Sequence, residues 1–286
     1  MKIGIIGLGL IGGTIAKSLK NKHYISAYDI SENTLKFAKE NDIINEAYND
    51  IETFISNNEV FYICLYPKAI IDFISKYKSH FKKNSIIIEI SGVKKYMVQA
   101  IATLNLENIE VVFTHPIAGS EKIGVFNSKV EIFKNANYVI TPIKNNKKSS
   151  LEMVKSLAKE MGFKNISCVT PEVHDSMIAY TSQLTHVLSL SLVNSVSAIS
   201  QELQTNRFIG DSYRDLTRIS KINEKLWPDL FIANKQELIE KIELFEIELR
   251  KFKDAIIMND FTKLEKLMIL SSSLRENMDR GNKNDS

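Results

Sequence analysis

The sequence predicts an α/β fold, a doubly wound sheet followed by an all-helical domain. Three observations carry that prediction. Short apolar runs alternate with helix-like stretches through about residue 169, the pattern of strands linked by crossover helices. The first of these runs, Ile3-Gly4-Ile5-Ile6, leads straight into Gly7-Leu8-Gly9-Leu10-Ile11-Gly12 and a helical segment from Thr14 to Leu19. From Pro171 on, strand-like runs vanish, and helical stretches span about Pro171–Gln204, Glu224–Met258 and Phe261–Glu276. The expected domains are therefore residues 1–169 and 170–286.

Strand, glycine turn and helix together are the context in which GxGxxG marks a dinucleotide site. Gly7 allows the tight turn, Gly9 lets the backbone approach a pyrophosphate, and Gly12 lets the helix pack close to the strand. The helix N-terminus, at Leu10 and Ile11, then offers free N–H groups and partial positive charge to the phosphates. A second run, Tyr24-Ile25-Ser26-Ala27-Tyr28, ends at Asp29, whose carboxylate would bond the adenosine ribose hydroxyls. An acid there repels a 2′-phosphate, so NAD is expected over NADP. Read without that context, the glycines would be a turn of some other α/β domain.

The remaining elements follow in order. Ser31 reads as an N-cap with Glu32 in the first turn, and the helix runs to about Asn41. A short strand near Ala47 and a helix over Ile51–Ile55 come next. Val60-Phe61-Tyr62-Ile63-Cys64-Leu65 is continuously apolar, as suits a parallel strand buried on both faces. Its carboxyl end, at Leu65, should lie beside the nucleotide. A helix over Ala69–Lys78, a buried strand over Ser85–Ile90 and a turn at Ser91-Gly92 precede a helix over Val93–Leu104. Glu110–Thr114 and Tyr138–Ile140 read as strands, Ser150–Met161 as a helix ended by Gly162, and Lys164–Val169 as the last strand. The polar end, Asp279–Ser286, reads as frayed.

Composition narrows the function. The 286 residues are 44% hydrophobic and 25% charged, with net charge +3, as in an ordinary globular protein. Its lysines are scattered, which argues against a nucleic-acid face. No apolar run approaches the ~20 residues of a membrane span, and no metal cluster is expected. Cys64 and Cys168 fall in or near apolar runs and read as buried, reduced thiols, hence a cytoplasmic protein with no leader ahead of its first strand.

Two further regions carry chemistry. After the strand ending at Thr114 comes a loop, His115-Pro116-Ile117-Ala118-Gly119-Ser120-Glu121-Lys122. His115 alone is as readily a plain loop residue, and Glu121-Lys122 a surface pair. Beside a nicotinamide, a base titrating near neutrality is what oxidation of a hydroxyl requires. In the second half, Arg207, Arg214 and Arg218 cluster in a chain that has only three other arginines and uses lysine nearly everywhere else. Arginine suits bidentate carboxylate binding; a surface paired with Asp211 and Asp215 is the simpler alternative. His186 sits on an apolar helix that also carries His174-Asp175, where a satisfied core histidine is the ordinary expectation. Ile239, Ile242, Leu244, Phe245, Ile247 and Leu249 give more apolar surface than one small domain needs, which predicts a homodimer.

Taken together, these residues resemble the prephenate/arogenate dehydrogenase family of tyrosine biosynthesis. The glycine turn, the His115–Lys122 loop, Arg214-Asp215-Leu216-Thr217-Arg218-Ile219, Trp227 and Phe231-Ile232-Ala233-Asn234 carry the likeness. It implies a Rossmann domain and a helical dimerisation domain with the site between them, and a small-molecule substrate oxidised by NAD. It implies His115 as the catalytic base, Arg218 as the carboxylate ligand with Arg214 or Lys122 second, and Ser120, Glu121, His186 and Trp227 as pocket residues. The expected reaction converts prephenate to 4-hydroxyphenylpyruvate, or arogenate to tyrosine. Another NAD-dependent hydroxyacid or imine enzyme, or a non-catalytic NAD-binding regulator, are the competing functions. The sequence departs from the family at Gly92, where many members have a serine that bonds the histidine and the substrate; Ser91 is the candidate replacement. Where many members read Ser-His-Leu-Pro-His, it has Ser182-Gln183-Leu184-Thr185-His186.

Overall fold

The computed structural model describes residues 1–119, 122–198 and 205–284. Its strands are β1 (Lys2–Ile6), β2 (Tyr24–Tyr28), β3 (Glu46–Tyr48), β4 (Val60–Ile63), β5 (Ser85–Glu89), β6 (Ile109–Ile117), β7 (Asn137–Thr141) and β8 (Asn165–Cys168). They form one sheet in the order β3-β2-β1-β4-β5-β6-β7-β8. β1 pairs in parallel with both β2 and β4, so the chain reverses direction across the sheet beside β1, and ligands bind at such a reversal.

Helices α1 (Leu10–Leu19), α2 (Glu32–Glu40), α3 (Ile51–Asn57), α4 (Pro67–Tyr77), α5 (Lys95–Ala102) and α6 (Lys148–Glu160) connect the strands. The pleat sorts alternate side chains to opposite faces. Val60 and Tyr62 of β4 join a core with Ile15, Leu19, Leu35 and Leu157, from α1, α2 and α6. Phe61 and Ile63 join a second core with Phe54, Ile70, Ile74, Met97 and Ile101, from α3, α4 and α5. The helices start where chemistry favours it. Ser31 and Asp50 accept N–H bonds from Thr34 and Thr53 at the starts of α2 and α3. Pro67 opens α4, where its missing N–H costs nothing.

Several elements differ from the sequence prediction. β6 does not end at Thr114 but runs to Ile117, so His115 lies on a strand and not on a loop. The reason is a change of partner. Parallel β5 pairs only as far as Phe113, and antiparallel β7 takes over from Phe113 to Ile117, with His115 opposite Val139. Cys168 is exposed, because β8 is the edge strand; Cys64 is half-buried, and both thiols are free.

The helical half is more broken than predicted. α7 (Pro171–Ile178) passes through a π turn, Ala179–Gln183, into α8 (Leu184–Asn194). The predicted end of that helix, residues 199–204, falls outside the described residues. α9 (Asp211–Thr217) and α10 (Trp227–Ala233) follow. The single helix expected from Glu224 to Met258 is broken at Asn234, which separates α10 from α11 (Lys235–Ile257). Its side chain donates to the Asp175 carbonyl and to Gln183 Oε1, both at 2.9 Å, and those bonds fix the break. α12 (Phe261–Asn284) continues past the predicted fraying point, carrying an Arg275–Asp279 ion pair.

Residues 1–235 form one compact unit and residues 236–286 a second. Secondary structure changes character near residue 170, whereas compactness divides later: α7 to α10 belong to the unit that contains the sheet. Among the described residues no helix is long and apolar enough to cross a membrane.

Candidate active site

The first unit holds a cleft of about 640 Å³ above the carboxyl ends of β1, β4, β5 and β6. One end is the glycine turn. Gly7 has φ +89°, and a Cβ there would meet the Cys64 carbonyl oxygen at 2.7 Å. At Gly12 a Cβ would stand 2.0 Å from the Gly7 carbonyl oxygen, so only glycine lets α1 start this close to β1. Gly9 faces open space. Leu10, Ile11 and Leu65 also line the cleft. Asp29 stands just past β2; its carboxylate accepts the Leu8 N–H at 2.7 Å and the Ser31 N–H at 2.9 Å. Each oxygen keeps lone-pair capacity for a ribose hydroxyl. A bare turn, the open N-terminus of α1 and a carboxylate beside it fit a dinucleotide.

The other end is made by side chains. Along β6, Val111 and Phe113 face the core of α3, α4 and α5, and pleat parity puts His115 on that same side. There α7 brings His174, whose Nε2 lies 2.9 Å from His115 Nδ1. His174 Nδ1 is 2.7 Å from Asp175 Oδ1. Asp175 also accepts the backbone N–H of Lys94 and of Lys95, both at 2.8 Å, and so caps α5 from a distant helix. Lys94 is fully buried, with Nζ 2.5 Å from the equally buried Glu89 Oε2. Burial holds the His115 imidazole well below its usual pKa, reinforced by His174 and by the Lys94 ammonium. Burial likewise lowers His174, partly offset by its bond to Asp175.

The far wall comes from the helical half. His186 stacks on Trp227 with ring centroids 3.8 Å apart, and its Nδ1 lies 2.8 Å from the Ser182 carbonyl oxygen. Burial lowers its pKa, and Arg218 lowers it further. Arg218, Lys122 and Lys221 bring positive charge to the cleft. Arg214 does not line it: exposed, it pairs with Asp211 at 2.9 Å, the simpler arrangement its spacing allowed. Ser91 lines the cleft, but its hydroxyl donates to the Val93 carbonyl at 3.1 Å. Gly92 is the residue facing the base, since a Cβ there would lie 3.7 Å from His115 Nε2. Ser120 and Glu121 fall outside the described residues. No group of three or more residues placed to hold a metal occurs among the described residues.

Comparison with known proteins decides the family. Residues 15–167 match the model for the nucleotide-binding domain of prephenate dehydrogenase, and residues 170–270 match that for its dimerization domain. The chain belongs to the prephenate dehydrogenase family. It is an NAD-dependent oxidoreductase of that family. A cyclohexadienyl dehydrogenase of Zymomonas mobilis is 28% identical, covering 90% of this chain and 89% of the relative. A prephenate dehydrogenase of Bacillus subtilis is 25% identical over 96% of this chain and 75% of its own. Among solved structures, prephenate dehydrogenase of Aquifex aeolicus, in complex with hydroxyphenyl propionate and NAD+, superposes with TM-score 0.88 at 26% identity, covering 96% and 98% of the two chains. Synechocystis arogenate dehydrogenase shares the fold, with TM-score 0.83 at 23% identity over 97% and 100%.

Sequence reasoning missed Glu89, Lys94 and Lys221, and left His174-Asp175 without a role. One signal was available: a glutamate inside the apolar run Ser85–Ile90 needs a buried partner, and Lys94 follows five residues later.

Proposed function

We propose that this enzyme oxidises prephenate with NAD and releases carbon dioxide, giving 4-hydroxyphenylpyruvate, and that it acts as a cytoplasmic homodimer. One observation carries the reading: a single cleft joins the bare glycine turn, the Nε2 edge of His115 and the Arg218 guanidinium. NAD, when bound, supplies the hydride acceptor. His115 is the general base, neutral at physiological pH, and takes the proton of the ring hydroxyl. Arg218 binds a carboxylate of the substrate, and Lys122 and Lys221, which line the same cleft, are the candidates for the second. The His186 and Trp227 rings, inclined at 33° to each other, form an aromatic wall for the ring. Once the ring hydroxyl is a ketone, loss of the ring carboxylate as carbon dioxide makes the ring aromatic, and the phenolate oxygen so formed takes back the proton held by His115, so decarboxylation needs no group beyond that histidine.

The ligand of the Aquifex structure, a hydroxyphenyl ring with a carboxylate chain, suits the same arrangement. The dimer rests on the description of the matched region and on α11 and α12, where Ile239, Leu244, Ile247, Leu249, Phe261 and Ile269 are all more than half exposed. A cytoplasmic location rests on the two free thiols.

NADH formation with prephenate and with arogenate, using NAD and NADP in parallel, tests the reading. Turnover of prephenate with NAD is expected. No turnover of either substrate overturns the function, and equal kcat/KM for NADP overturns the role of Asp29. In Arg218→Ala, KM should rise roughly 10- to 150-fold with less effect on kcat, the 1.5–3 kcal/mol of a hydrogen bond to a charged group. Arg218→Lys should recover little of it, because an ammonium cannot reproduce the guanidinium fork.

A further inference from the structure

The buried face of His115 holds an arrangement that the reaction as described does not use. Its Nδ1 points away from the cleft, at His174 Nε2, and His174 in turn points at Asp175. Hydrogen-bond logic fixes every proton in this row. Asp175 receives two backbone N–H groups, which can only donate, so its oxygens are acceptors. His174 Nδ1, 2.7 Å from one of those oxygens, must therefore carry a hydrogen. A neutral imidazole carries only one, which leaves His174 Nε2 bare. A bare Nε2 at 2.9 Å demands a donor, and the ring nitrogen facing it is His115 Nδ1. With its hydrogen on Nδ1, His115 turns a bare Nε2 toward Gly92 and the cleft.

We propose that His174 and Asp175 are positioning residues for the base: through two hydrogen bonds they hold His115 in the one tautomer that can accept the substrate's proton. This rests on the reading of His115 as the general base. The charged groups around the row support it. Lys94 depresses both imidazoles, while Asp175 and Glu89 pull His174 the other way. When the substrate O–H bond breaks and the Nε2–H bond forms, the new imidazolium donates Nδ1–H to a histidine already backed by a carboxylate. The positive charge is thus stabilised inside a dry pocket without moving any heavy atom. Asp175 does a second job with the same oxygens, because it caps α5, so the base's orientation and the start of that helix share one carboxylate. The row joins β6 to α7, which lie 59 residues apart at His115 and His174.

The test uses His174→Phe, which keeps a ring but removes the acceptor, and His174→Gln, which keeps an acceptor atom at the end of its side chain. Two readouts are taken on NAD-saturated enzyme: steady-state kcat and KM, and the ¹⁵N spectrum of labelled histidine. In the wild type, the ¹⁵N signals of His115 should show hydrogen on Nδ1 and a bare Nε2. In His174→Phe, kcat should fall between about 10-fold and 10⁴-fold, the range spanned by lost orienting partners elsewhere, with KM values within about twofold of wild type. The His115 signals should then report a tautomer mixture, and His174→Gln should restore part of the lost kcat. Hydrogen on Nε2 of His115 in the wild type overturns the proposal, and so does wild-type kcat in His174→Phe. If His174→Phe does not fold, the wild-type spectrum and the Gln variant still decide. Failure of the dehydrogenase reading shows separately, as absent turnover in the wild type, while the spectrum reads the tautomer regardless.

Discussion

The two ends of the cleft are made of different material. The dinucleotide end is backbone: a turn that only glycine can make, open N–H groups, and one carboxylate held by two amides. The catalytic end is a cluster of ionisable side chains, Glu89, Lys94, His115, His174 and Asp175, most of it sealed from water. Damage should therefore spread differently. At the glycine turn an added atom acts by collision, within a few ångströms. In the cluster a lost group changes the charge felt by all the others, because a dry interior screens little.

Removing the base should produce the largest effect. His115→Asn should lower kcat by roughly 10²–10⁴, the usual size of a general-base contribution. Its NAD affinity, measured by calorimetric titration, should stay within about threefold of wild type, because none of the dinucleotide contacts proposed here involves that side chain. A large loss of NAD affinity would mean that the two ends are not separable. The same variant should abolish the acidic limb of the kcat/KM profile. In the wild type that limb should lie below the ~6.5 of a free histidine, since burial lowers the group and the neutral form is the active one.

Gly12→Ala should give the mirror result at smaller scale. Its Cβ would fall 2.0 Å from a carbonyl oxygen, so α1 must back away from β1. With ~1–3 kcal/mol for such overpacking, NAD affinity should weaken by about tenfold or more while kcat at saturating NAD changes little. Equal losses in both would remove the contrast.

Smallest is a stability effect. His115, His174 and His186 all have folded pKa values below the unfolded one. Below pH ~6.5 the unfolded chain binds more protons than the folded one, so stability is complete above that pH and drains away as pH falls. Thermal unfolding midpoints should drop between about pH 7.5 and 5.5, and His174→Phe should flatten the slope by removing one buried histidine. An unchanged slope would place the acid sensitivity elsewhere.

The same contrast explains what could be read ahead of the structure. Gly7, Gly9, Gly12 and Asp29 belong to one strand–turn–helix–strand unit, so spacing along the chain was enough. His115 was legible as chemistry but misplaced onto a loop. Its strand is prolonged by pairing with β7, and Pro116 mimics a break that this pairing overrides. Lys94 did not stand out among the scattered lysines, because nothing local reveals that Glu89 and Asp175 hold it at the start of α5. Asn234 stood inside an unbroken helical pattern, and only its bonds to α7 and the π turn split it. Charge clusters gathered from distant elements leave no period in the sequence.

The strand position of His115 has a consequence in time. A base on a loop would share that loop's nanosecond-to-microsecond excursions. His115 instead sits in the ladder between β6 and β7, two interior strands of the eight-stranded sheet. Such ladders open only in the rarest fluctuations, and their amides are among the last to exchange with solvent. The wall opposite is built from His186 of α8, the turn that follows α9, and α10. Any give that substrate entry or product escape requires must therefore come from that second wall, while the base stays still.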